Sequence, residues 1–138
     1  MPMRPIFRRT FSRNLSSYLA VPGEVEHFCA EHALPKAVVF KIRLVLEELV
    51  LNLLDHAVGS ATDCIDLRLE LEPGRVVLML EDDTAPFDPR SAAPFDKSTP
   101  LEERGLRGMG IHLVRTMTES IAYERVDSRN RLRAVIAG

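Results

Sequence analysis

The chain has 138 residues, and eighteen basic residues against twenty acidic ones leave a formal charge of −2. Hydrophobic residues make up 46% and charged residues 28%. That is too much apolar material for a disordered chain, there is no apolar run of the roughly 18 residues a membrane span needs, and the net positive charge of a nucleic-acid binder is missing. The expectation is a single globular domain over 1–138, with neither nucleic acid nor membrane as partner. Arg4, Arg8, Arg9 and Arg13 crowd the N-terminus, but no apolar stretch follows them, so a secretory leader is not expected and the predicted location is cytoplasmic. Cys29 and Cys64 lack metal-ligand spacing and sit in apolar-patterned segments, which predicts buried, reduced thiols.

Ile6, Phe7 and Phe11, interleaved with arginines, predict a short edge strand over 5–13. Pro22 then opens a helix near 22–33, carrying Val25, Phe28 and Cys29 at helical spacing. After Pro35, Val39, Ile42, Leu46, Leu49, Leu53 and Ala57 recur every three or four positions, so a long amphipathic helix is predicted from Lys36 to Ala57, closed by Gly59. Ile65, Leu67, Leu69 and Leu71 alternate with charged residues, giving a strand with one wet face. Pro73-Gly74 is its turn, and the unbroken run Val76–Leu80 predicts a central strand buried on both faces. Residues 83–107 hold several prolines and little periodicity, and are read as a lid. A helix from Gly108 to about Glu119 and a hairpin of Ile121–Val126 with Leu132–Ile136, turning at Asp127–Asn130, complete the chain. The predicted fold is α+β: a two-layer sandwich with three helices on one face of a mixed, mostly antiparallel sheet.

Three groups of residues stand out chemically. Glu48, Asn52 and His56 fall at i, i+4 and i+8 on the long helix and form one polar stripe. A lone Glu or His there is usually a solvated face. Asn is a mediocre helix former, however, and its mid-helix amide oxygen suits a hard cation such as Mg²⁺, which takes one or two protein oxygens and fills its octahedron with phosphates and waters. The second group is Asp82-Asp83-Thr84-Ala85-Pro86-Phe87-Asp88, where a buried strand runs into carboxylates able to accept from an amine. The third is Gly105-Leu106-Arg107-Gly108-Met109-Gly110, glycines entering a helix whose free amides can hold phosphate. It is neither a Rossmann fingerprint, lacking the βαβ unit, nor a Walker A motif, lacking Gly-Lys-Ser/Thr.

In chain order, these groups resemble the N, G1 and G2 boxes of the histidine-kinase-like (GHKL) ATPases with their Bergerat fold. Glu48-x-x-x-Asn52-x-x-x-His56-Ala57, Asp82 through Pro89 and Arg107 through Val114 look more narrowly like the stand-alone anti-sigma-factor serine/threonine kinases. The resemblance implies ATP and Mg²⁺ as cofactors, Asn52 as the metal ligand and Glu48 as the catalytic residue, acting as general base or orienting the attacking hydroxyl. Asp82 would accept from the adenine amine, Gly108 and Gly110 would cradle the phosphates, and His56, Thr84, Phe87 and Met109 fall within the same nucleotide site. Arg104 and Arg107 are further candidates for the γ-phosphate, because guanidinium forks suit phosphate and both lie beside the glycines. The implied partners are an anti-sigma-factor antagonist protein phosphorylated on serine, a sigma factor to sequester, and a second copy of the chain in a homodimer.

One position departs from the pattern. Thr84 stands where the family usually has glycine, so either the turn differs or the hydroxyl makes a new contact, and nucleotide affinity is the property at stake. Alternative readings are an ATP-gated binding module without phosphoryl transfer and a detached histidine-kinase catalytic domain. The second is disfavoured because Glu48 stands where histidine kinases usually have Asn.

Overall fold

The computed structural model describes residues 4–56, 63–86 and 107–138; for His56 and residues 107–111 it describes the backbone only. Strand β1 (Ile6–Ser12) leads through the short helix α1 (Leu15–Tyr18) into α2 (Val21–Glu31) and the long α3 (Lys36–His56). Strands β2 (Cys64–Glu72) and β3 (Arg75–Asp82) precede α4 (Arg107–Met117), and β4 (Ser120–Val126) and β5 (Arg129–Ala137) close the chain. The strands form one five-stranded sheet in the order β1-β2-β3-β5-β4. Each of its pairings is antiparallel.

Helix α3 forms because Val38, Ile42, Val45, Leu46, Leu49 and Leu53 recur at helical spacing, and all six are buried. It starts where Pro35, unable to extend a helix backwards, offers its carbonyl to the Val38 and Val39 amides. At ~1.5 Å per residue its 21 residues reach across the sheet, a span of about 31 Å. Beneath it, Ile65, Leu67 and Leu69 of β2, Leu78 and Leu80 of β3, and Leu132, Ala134 and Ile136 of β5 supply the sheet's inner face. Val25 and Phe28 of α2 and Val114 of α4 join the same core. The two-layer α+β reading of the sequence describes this arrangement, with β1 at an edge and β3 in the centre.

The differences are local. Asn14 caps α1 by accepting from the Ser17 amide, a one-turn helix too short for periodicity to reveal. Helix α2 stops at Glu31, because Ala33 takes a left-handed conformation (φ 54°). Strand β3 is buried on both faces over Val76–Leu78, with Val77 of the outer face only 4% exposed, whereas Met79 and Glu81 further along that face are half-buried. The β4–β5 turn uses two residues rather than four. Asp127 and Ser128 both have positive φ (50° and 63°), the primed geometry that matches strand twist, and Arg129 and Asn130 already belong to β5. Cys29 is buried, whereas Cys64 at the start of β2 is only half-buried; neither is in a disulfide. Ala57, Gly59 and most of the proposed lid, residues 87–106, lie outside the described residues.

Candidate functional site

Across β2, β3 and β5 the inner face of the sheet is apolar until its last row. There, Ile65, Asp82, Asn130 and Arg125 stand side by side on β2, β3, β5 and β4. Asp82 is only 2% exposed and Asn130 3%, depths at which a polar side chain must find partners. Asp82 does so through one oxygen. Its Oδ1 accepts from the Thr84 amide at 3.0 Å, from Asn130 Nδ2 at 3.0 Å and from the Thr84 hydroxyl. Each bond that Asp82 receives from a described residue lands on Oδ1, which fixes the plane of the carboxylate.

Asn130 ties this acceptor to the rest of the sheet. Its Nδ2 also donates to Thr84 Oγ1 at 3.1 Å and to the Ala85 carbonyl at 3.0 Å. Its Oδ1 accepts from the Tyr123 hydroxyl at 2.6 Å and from Arg125 at 3.0 Å. Arg125 then reaches the Thr84 carbonyl at 2.7 Å. Thr84 is therefore not held in a left-handed turn, since its φ is not among the positive ones. Of the two outcomes the sequence left open, the new hydroxyl contact is present: Thr84 caps the strand end in an Asx-type turn closed on Asp82.

Sequence reading found Asp82 and Thr84 but missed Asn130, Tyr123 and Arg125. Asn130 was assigned to a turn because Asn favours turns. An available signal was its distance from Asp127-Ser128, which by themselves suffice for a two-residue hairpin turn and leave Asn130 in a strand, pointing inward.

Glu48 and Asn52 lie one turn apart on α3, about 6 Å along its axis. Both are half-buried, beside the buried Leu49 and Leu53. Asn52 makes no hydrogen bond to any described residue, so its amide oxygen is available to an outside donor or cation, whereas Glu48 is engaged. His56 occupies the last turn of α3. Among the described residues no cluster of three or more acidic, His or Cys side chains could hold a metal by itself. A Mg²⁺ delivered on a triphosphate needs only one or two protein oxygens, and Asn52 suits that role.

Helix α4 packs against α3 and begins at Arg107, so Arg107, Gly108, Met109 and Gly110 make up its first turn. The amides of that turn have no intrahelical acceptor, and the turn contains no acidic residue to compete for them. Backbone glycines there allow close approach by a phosphate. Phe87 and Arg104 lie outside the described residues.

The family model described as a histidine kinase-like ATPase domain matches residues 11–136. Among solved structures, the RsbU and RsbW domains of Rv1364c from Mycobacterium tuberculosis match at 14% identity and a TM-score of 0.64, over 96% of this chain and 32% of that one. A histidine kinase domain of the blue-light activated histidine kinase from Erythrobacter litoralis EL346 matches at 17% identity and a TM-score of 0.53, over 88% of this chain and 59% of that one. The chain thus spans a third to three fifths of the length of these structures, and at such identities the likeness is one of fold. No curated protein matches. No described helix is long and apolar enough to cross a membrane.

Proposed function

Since the chain belongs to the histidine kinase-like ATPase domain family, we propose that it is an ATP-dependent serine/threonine protein kinase of the anti-sigma-factor type, acting on a small antagonist protein. Sequestration of a sigma factor and assembly as a homodimer belong to the same reading. The observation that carries it is the Asp82 carboxylate, buried at the end of an apolar sheet face and oriented by three donors on a single oxygen. A flat base with an exocyclic amine is the ligand such an acceptor suits, because its apolar faces fit the core side and its amine fits the carboxylate.

Each residue has a task in this scheme. Asp82 accepts from the adenine amine. Asn52 would hold Mg²⁺, which when bound would supply charge neutralisation to the phosphates. The amides of Arg107–Gly110 would donate to phosphate oxygens, and Arg104 and Arg107 are the candidate guanidinium partners of the γ-phosphate. Glu48, one turn before Asn52, takes the proton of the attacking serine hydroxyl.

The test is incubation with γ-labelled ATP, Mg²⁺ and candidate antagonist domains. Label on serine or threonine that disappears in Glu48→Ala supports the kinase. Nucleotide binding with no transfer to any candidate favours an ATP-gated binding module, and label on histidine favours a histidine-kinase catalytic domain.

A further inference from the structure

The outer face of the sheet, which no described helix covers, carries its charges in rows set by strand register. One row reads Arg8, Arg68, Met79, Arg133 across β1, β2, β3 and β5. At ~4.8 Å between strands its ends lie about 14 Å apart. The arginines of neighbouring rows are neutralised internally. Arg131 pairs with Glu81 at 2.7 Å and Glu124 at 3.1 Å, Arg129 with Asp66 and Glu81, and Arg4 with Glu72 at 3.0 Å.

The Arg8–Arg133 row differs. Arg8 and Arg133 are exposed and make no hydrogen bond or ion pair to any described residue. Arg68 has a single 3.5 Å ion pair to Glu70, and its Nε is buried without a partner. Arg8 and Arg68 also face each other directly across the β1–β2 ladder, a like-charge pair that costs stability in the free protein. Beside them opens a groove of about 400 Å³, lined by Arg8, Arg68, Met79, Asp66, Glu81 and Arg131.

We propose that this row is a docking surface for an acidic segment of a partner protein, whose Asp or Glu carboxylates engage Arg8, Arg68 and Arg133 while its aliphatic carbons rest on Met79. Charge complementarity selects this occupant. The cationic stripe is one residue wide, and Asp66 and Glu70 border Arg68 on both sides along β2. Discrete carboxylates fit a narrow stripe, whereas a continuous phosphate backbone would lie across the flanking acids. The surface is independent of the nucleotide site, so its failure would leave the kinase reading untouched.

The test is fluorescence anisotropy of the whole chain with a fluorescein-labelled peptide of alternating glutamate and serine at low ionic strength. Saturable binding is expected, weakened roughly tenfold in Arg8→Gln/Arg133→Gln and little changed in Lys36→Gln/Arg43→Gln, which removes equal charge from helix surfaces. Amide shifts of the parent protein on adding the peptide should concentrate on β1, β2 and β5. Equal weakening in both double variants, shifts spread over the helices, no saturable binding, or tighter binding of a labelled oligothymidine than of the peptide would each overturn the proposal.

Discussion

Asn130 stands directly opposite Asp82 across the β3–β5 ladder and donates from Nδ2 to its Oδ1 at 3.0 Å. The same amide accepts from Tyr123 and Arg125, so one side chain orients the carboxylate and spends the polar groups around it. Asn130→Ala should cost about 1–3 kcal/mol, because it leaves buried donors and acceptors unpaired. Urea unfolding measures this, and calorimetry on the same variant should show weaker ATP binding as the carboxylate loses its fixed plane. Tyr123→Phe, which removes one donor, should cost less, about 1 kcal/mol. Parent-like stability in Asn130→Ala would contradict the network.

Asn52 offers a half-buried amide with no described partner. Asn52→Ala should therefore leave the unfolding midpoint of the free chain almost unchanged, since surface-type substitutions usually stay within about 0.5 kcal/mol. The stabilisation conferred by ATP with Mg²⁺ should shrink sharply. Thermal unfolding with and without nucleotide separates the two effects. Equal nucleotide-induced shifts in variant and parent would remove Asn52 from the metal site.

Glu48 is assigned to proton removal rather than to holding nucleotide. Glu48→Gln should then lower phosphoryl transfer by about 10²–10⁴-fold, the range of a lost general base, while ATP affinity stays close to that of the parent. Loss of transfer and of affinity in equal measure would instead mark Glu48 as a binding residue.

Two buried groups set an alkaline limit on stability. Burial, with help from Glu26, raises the Cys29 thiol above its ordinary 9.0. Burial and then Glu47 raise the Tyr18 phenol above its ordinary 10.0, against the opposing pull of Arg43. Below those ordinary values both groups are protonated in the folded and the unfolded chain, and stability is undiminished. As pH rises past 9.0 and then 10.0, the unfolded chain releases protons that the folded chain retains, so stability falls. The unfolding midpoint should drop progressively above pH 9.0, and Tyr18→Phe should flatten the upper part of that decline. A profile identical to the parent's would refute the assignment. Alkylation should reach the half-buried Cys64 before Cys29.

The fold was largely legible because its two periods are clean. Helix α3 repeats every three or four residues and β2 alternates without a break, so a sandwich with β3 in the centre follows from pattern alone. What pattern missed is made by long-range register. Asn130 meets Asp82 only because a two-residue primed turn sets the β4–β5 pairing and β5 then lies beside β3. Likewise, Val76–Leu80 reads as buried on both faces, which holds for Val77 but only in part for Met79, because the run encodes strand propensity and the neighbours that decide burial come from elsewhere in the chain. Asn52 and Glu48 were visible in sequence because a polar stripe on an otherwise apolar helix is a local feature.

Isothermal titration calorimetry of the purified chain with ATP, in the presence and absence of Mg²⁺, tests the central claim most directly. The account predicts saturable binding that strengthens with Mg²⁺ in the parent, loses that Mg²⁺ dependence in Asn52→Ala and weakens in Asn130→Ala. An absence of binding heat at millimolar ATP with Mg²⁺ would contradict it.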